Sequence, residues 1–159
     1  MKCIFEDNTI LIYVQKSNIN EKSFEKLSYI EEYFKNIFLK IKQKYNIDMN
    51  GFYFVNVYID SIYGIILEIK EEKLEFIDYY DDAVDMKLSL YQEPFLYRIE
   101  DILDLQKSLK PKFDIYLYQN NWYIKPKDLT EDTLLYKILE YTEIIYKDTS
   151  KIINYGKKI

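Results

Sequence analysis

Histidine is absent from this 159-residue chain, which also has one cysteine, three glycines and three prolines. Without histidine the chain lacks the side chain best suited to proton transfer near neutral pH, which is also the commonest metal ligand. Cys3 alone can form neither an internal disulfide nor a cysteine-rich zinc site. Gly51, Gly64 and Gly156 are too few and too scattered for a phosphate-binding loop or a GxGxxG turn. No apolar run approaches the roughly 18 residues a membrane span needs. Glu6 and Asp7 arrive before any apolar region develops, so no secretory leader is expected. The expectation is a cytoplasmic protein with no cofactor, no metal and no membrane partner. Serine, lysine and carboxylate mechanisms survive these absences, and most enzyme classes do not.

Hydrophobic residues make up 48% of the chain and charged residues 31%, a globular composition. The net charge of −5 disfavours a nucleic-acid partner, because phosphate neutralisation supplies much of that binding. Eighteen tyrosines are a clear excess. Tyrosine is stiff and amphipathic and suits surfaces that are part buried and part wet, as interfaces are. A genome rich in A and T gives the same bias, so composition alone does not choose between the two.

In the first half, Thr9–Val14 reads as a buried strand. Asn18 or Asn20 can then cap a helix starting near Glu21. Leu27, Ile30, Phe34, Ile37, Phe38, Ile41 and Tyr45 recur at steps of three and four and mark its buried side. Phe52–Ile59 is strongly β-prone, Tyr63–Lys70 returns as a second strand, and Leu74–Tyr79 is a candidate third. Between Glu71 and Asp85 lie seven acids opposed by Lys73 alone. Without a glycine, and with the wrong spacing, this stretch is no calcium loop. It reads as a solvated connector, with an acidic docking strip and a carboxylate pair as alternatives.

In the second half, Met86–Tyr91 is a weak strand that could open a second sheet, and Glu93-Pro94 interrupts it. Phe95–Arg98 is a strand. Glu100 and Asp101 suit the first turn of a short helix whose stripe is Ile99, Ile102, Leu105 and Leu109, stopped by Pro111. Asp114–Tyr118 and Trp122–Lys125 are strands joined across Gln119-Asn120-Asn121, a credible turn because asparagine tolerates left-handed angles. Thr130 caps a last helix with Glu131 and Asp132 in its first turn. Leu134 or Leu135, Ile138, Tyr141 or Thr142, and Ile145 line its inner face. Ile152–Tyr155 reads as a closing strand before a turn at Gly156. The fold class is α+β: two small layered units, each an antiparallel sheet packed with helices. The units are residues 1–80 and 95–159, joined by an acidic connector at 81–94.

The order of these features resembles the MecA family of competence-regulating adaptor proteins. The similarity runs through Arg98-Ile99-Glu100-Asp101-Ile102, the hairpin from Ile115-Tyr116 through Asn120 to Tyr123-Ile124, and Thr130-Glu131-Asp132. It continues with Glu140-Tyr141 and Tyr155-Gly156-Lys157, and Glu6-Asp7-Asn8-Thr9-Ile10 fits the start of the family pattern. The resemblance implies a non-enzymatic adaptor for regulated proteolysis by the Clp protease. Its N-terminal unit would bind client proteins and its C-terminal unit a ClpC-type AAA+ unfoldase. Self-association is left open, and the alternative is an acidic inhibitor or decoy that binds a basic partner surface. The residues expected to touch the partner are Tyr118, Gln119, Asn120, Asn121, Trp122, Glu131, Asp132, Glu140 and Tyr155. The hairpin residues stand on their mixed aromatic and polar character, the others on the resemblance.

Overall fold

A computed structural model describes residues 1–19, 27–47, 50–73, 84–103, 105, 109–127 and 132–159. Among these the chain is mixed α and β and mostly strand, with three α-helices and two five-stranded sheets. It divides into two compact units, one of Met1–Val57 with Ile65–Tyr91, the other of Tyr58–Gly64 with Gln92–Ile159.

The first sheet holds β1 (Lys2–Glu6), β2 (Thr9–Gln15), β3 (Gly51–Asp60), β4 (Gly64–Glu72) and β5 (Val84–Gln92) in the order β1-β2-β4-β3-β5. β1 and β2 form a hairpin across Asp7-Asn8, with Glu6 opposite Thr9 and Asp7 at φ 47°. Helix α1 (Leu27–Tyr45) buries Ile30, Phe34, Ile37, Phe38 and Ile41, as its periodicity requires. Phe38 meets Tyr53 of β3 edge to face, with ring centroids 5.4 Å apart. The last residue of that stripe, Tyr45, is partly exposed instead, its ring against Phe5 of β1. Leu11, Ile12, Val14, Val55, Val57, Ile65, Leu67 and Ile69 complete the buried centre of the sheet. The segment expected to open a second sheet, Met86–Tyr91, lies in β5 and belongs to this first sheet. The candidate third strand at Leu74–Tyr79 and most of the acidic run lie outside the described residues.

The second sheet holds β6 (Leu96–Ile99), β7 (Phe113–Tyr118), β8 (Asn121–Pro126), β9 (Glu143–Ile145) and β10 (Lys157–Lys158) in the order β10-β7-β8-β6-β9. Every neighbouring pair in it is antiparallel. Helices α2 (Asp132–Leu139) and α3 (Thr149–Tyr155) accompany it. Ile152 of α3 packs with Leu96, Tyr116 and Tyr123, and Tyr118, Ile145 and Ile153 flank that cluster. Leu134, Leu135 and Ile138 of α2 are buried.

Three sequence expectations in this unit are corrected. Ile152–Tyr155 is helical, not a closing strand. The buried Thr149 hydroxyl donates to the Glu93 carboxylate at 2.9 Å, and the Ser150 N–H reaches the same oxygen at 3.4 Å. A residue far away in sequence thus supplies the N-terminal acceptor that α3 lacks locally. α2 stops at Leu139, and Ile145 sits in β9: the Thr142 hydroxyl donates to the Ile138 carbonyl at 2.8 Å and the chain turns into a strand. No α-helix forms over the described residues between Glu100 and Leu109, where the sequence led one to expect it. The Leu103 N–H donates to the Asp101 side chain at 2.8 Å, a local turn that competes with helix formation. Pro111 accordingly lies inside a short 3-10 turn, Lys110–Lys112.

A buried carboxylate organises the β3–β4 turn within this second unit. Asp60 is 8% exposed and accepts three backbone N–H groups: Ile62 at 2.9 Å and Tyr63 at 2.6 Å on one oxygen, Phe95 at 3.0 Å on the other. Tyr97 stands close enough to feel its charge. Burial first, then the charges of Asp60 and Tyr63, pushes the Tyr97 phenol well above the ordinary tyrosine range. Its hydroxyl is buried and has no hydrogen-bond partner among the described residues.

Two predictions follow from this arrangement. Asp60→Ala strands three N–H groups and should cost about 3 kcal/mol or more, with Asp60→Asn losing less, as read by urea denaturation. Tyr97 binds its proton more tightly folded than unfolded, so its contribution is fully present below about pH 10 and is lost as the pH rises beyond it. Tyr97→Phe should therefore be neutral or more stable by about 1 kcal/mol near neutral pH. It should also lose less stability than the parent chain between about pH 9 and pH 11, which the same titrations measure.

Candidate functional site

The β7–β8 hairpin closes on two residues, Gln119 and Asn120, with Tyr118 opposite Asn121. Their φ angles of 48° and 62° have the two successive positive values that suit the twist of a two-residue hairpin. Asparagine adopts that region at little cost, whereas glutamine does not. The tip is held by the Asn121 amide donating to the Gln119 carbonyl at 3.0 Å and by a longer contact, 3.4 Å, from the Gln119 amide to the Tyr118 hydroxyl. Gln119, Asn120 and Asn121 are exposed, and Tyr118 and Trp122 are half-buried.

The sheet register sets what surrounds this tip. Lys157 of β10 pairs with Leu117, which brings Gly156 and Tyr155 alongside the end of β7. Gly156 is required here by close approach. A Cβ at that position would run into the Ile152 carbonyl oxygen, which already accepts the Gly156 N–H at 2.8 Å. Tyr155 projects from the last turn of α3 and is 79% exposed. On the other side Trp122 pairs with Ile99, and Arg98 pairs with Glu143, to which it is also ion-paired. The same end of the sheet therefore continues into Glu100 and Asp101 after β6 and into Glu140–Thr142 before β9. Across five strands this end spans about 19 Å. It carries the half-buried Tyr118 and Trp122 and the exposed Tyr141 and Tyr155.

Seven of the nine residues expected at a partner surface can be placed by their side chains: Tyr118, Gln119, Asn120, Asn121, Trp122, Glu140 and Tyr155. All seven gather at this one end. Glu131 lies outside the described residues. Asp132 begins α2, about 11 Å along the helix from Leu139. Tyr141 or Thr142 was expected on the inner face of a longer helix; with α2 stopping early, Thr142 is half-buried and Tyr141 is 40% exposed. Burial and the nearby Glu140 raise the Tyr141 phenol above the usual range. Leu103, 77% exposed, carried no signal in the sequence, since it sat inside an expected helix.

Charge divides this end. Glu100, Asp101 and Glu140 are exposed on the β6 and β9 side. Lys151 and Lys157 lie on the α3 and β10 side, where Lys151 pairs with Asp148 at 2.7 Å and its pKa is raised chiefly by that bond. Among the described residues no group of three or more acids or cysteines is placed to hold a metal ion, and no helix is long and apolar enough to cross a membrane. Comparison with protein-family models, curated proteins and solved structures gives no match.

Gln119 occupies a conformation that disfavours residues with a Cβ. Gln119→Gly should stabilise the protein by about 1 kcal/mol in urea denaturation and leave the hairpin register unchanged by amide chemical shifts.

Proposed function

We propose that this protein is a non-enzymatic adaptor of the MecA type, made of two layered α+β units. The first unit holds client proteins, and the second docks on a ClpC-type AAA+ unfoldase in the cytoplasm. The observation that carries this reading is the gathering of Tyr118, Trp122, Tyr141 and Tyr155 with the polar hairpin tip at one end of the second sheet. Aromatic side chains ringed by polar groups are the usual energetic centres of protein interfaces. An adaptor needs such a surface and needs no reacting group. The resemblance over Tyr97–Gly156 supplies the identity of the partner.

The test is retention of a ClpC-type unfoldase by the immobilised full-length chain at micromolar concentration. Binding is expected, and Tyr155→Ala should weaken it about tenfold or more with unchanged circular dichroism, because truncating a packed anchor costs about 2 kcal/mol. A folded protein that retains no unfoldase removes the proposal. Retention that instead collapses with salt and with neutralisation of Asp81 and Asp82 would favour an acidic decoy.

A further inference from the structure

Strand β5 is an edge of the first sheet among the described residues, paired with β3 on one side only. It is nine residues long, and edges of that length are usually blunted because their outer N–H and C=O groups invite pairing. The Met86 N–H shows which way the outer groups point. It donates to the Asp85 carboxylate at 2.9 Å in an exposed bond, a side-chain acceptor standing in for a neighbouring strand. Alternate residues of a strand turn their backbone groups to opposite sides, so Val84, Met86 and Leu88 share the outer edge. On the side-chain level, Asp85 and Lys87 are exposed on one face, while Val84, Met86 and Leu88 are half-buried on the other. Lys87 has no ion-pair partner among the described residues.

This short segment is complementary to itself. We propose that β5 is a self-pairing edge, through which two copies of the chain join their first sheets in antiparallel register about a two-fold axis beside Met86. In that register Met86 faces the second copy's equivalent residue, and Val84 faces the position of Leu88. Asp85 faces the position of Lys87 twice over, once in each direction. The Met86 and Val84–Leu88 pairs are the hydrogen-bonded ones, giving about six bonds from three pairs. The Asp85–Lys87 pairs fall at the closer, non-hydrogen-bonded positions, with Cα atoms about 4.5 Å apart, where opposite charges attract most and like charges repel most. A two-fold interface requires a patch that matches itself, and a one-residue shift of register would place Asp85 or Lys87 against the wrong partner and turn the apolar row over. The charges that ordinarily guard an edge therefore select a single partner here: a second copy.

Sedimentation equilibrium of the full-length chain tests this. A monomer–dimer equilibrium is expected in the micromolar range. Lys87→Asp or Asp85→Lys alone should raise the dissociation constant about tenfold or more, since each converts two attractions into repulsions. The double exchange, Asp85→Lys with Lys87→Asp, should restore it. Register is read separately in a Cys3→Ser background. Met86→Cys should oxidise to a disulfide-linked dimer, the facing Cα atoms being about 5.5 Å apart. Leu88→Cys should not, its counterpart lying about 13 Å along the strand. A chain that stays monomeric to about ten times the micromolar range, a dimer indifferent to the single charge reversals, or cross-linking at position 88 in preference to 86 would each overturn the proposal. Loss of adaptor binding in the Tyr155→Ala variant with dimerisation intact would show that the two surfaces are separate.

Discussion

Asp60 accepts three backbone N–H groups with one nearly buried side chain, and the geometry of the second unit depends on it. Two of those donors close the β3–β4 turn. The third, Phe95, begins the run into β6, so one carboxylate fixes where that strand enters the sheet. Buried carboxylates are costly unless fully satisfied, and charged acceptors form the stronger hydrogen bonds. The aromatic rings around it follow from that position. Tyr63 tilts against Phe95 at 5.8 Å, and Tyr146 lies against both Phe95 and Tyr58. Among the described residues the Tyr97 hydroxyl has no hydrogen-bond partner, a buried polar atom that this packing leaves unsatisfied.

With β6 placed, the rest of the hairpin end of the second sheet is determined by register. β8 aligns Trp122 with Ile99, β9 aligns Glu143 with Arg98, and β10 aligns Lys157 with Leu117. Each of these pairings carries a segment that is remote in sequence to the same end of the sheet. At this end Tyr118, Asn121 and Trp122 are held by strand pairing, and Gln119-Asn120 form the turn between them. Preorganised aromatic groups on a strand scaffold reduce the entropy lost on binding, which suits the adaptor role proposed above.

The two sheets treat their edges differently. β9 and β10 are very short, and β10 consists of Lys157 and Lys158, the latter paired to Asp114 at 3.0 Å. Short, charged edges resist pairing with other chains. β1 is flanked by Lys2 and Glu6 and covered in part by the contact of Phe5 with Tyr45. Among the described residues β5 departs from this pattern, being long and carrying alternating opposite charges.

Periodicity in the sequence settled α1 and strands β2, β3, β4, β7 and β8, because each is decided by its own residues. The stripe from Ile30 to Ile41 can be buried only as a helix, and Phe52–Ile59 is too rich in aromatic and β-branched residues to be anything but strand. The hairpin and its tip were legible for the same reason, and so was most of the candidate site. Tertiary structure decided the elements whose ends are satisfied from elsewhere in the chain. Ile152-Ile153 has strand-like composition, yet it is helical because Glu93 supplies its N-terminal acceptor and Leu96, Tyr116 and Tyr123 receive Ile152. β5 joined the first sheet because β3 offered it a free edge, which no local pattern reveals. Local sequence determines a segment when its own side chains supply the burial and the caps. Where a hydrogen-bond partner or a neighbouring strand comes from another part of the chain, only the folded arrangement decides.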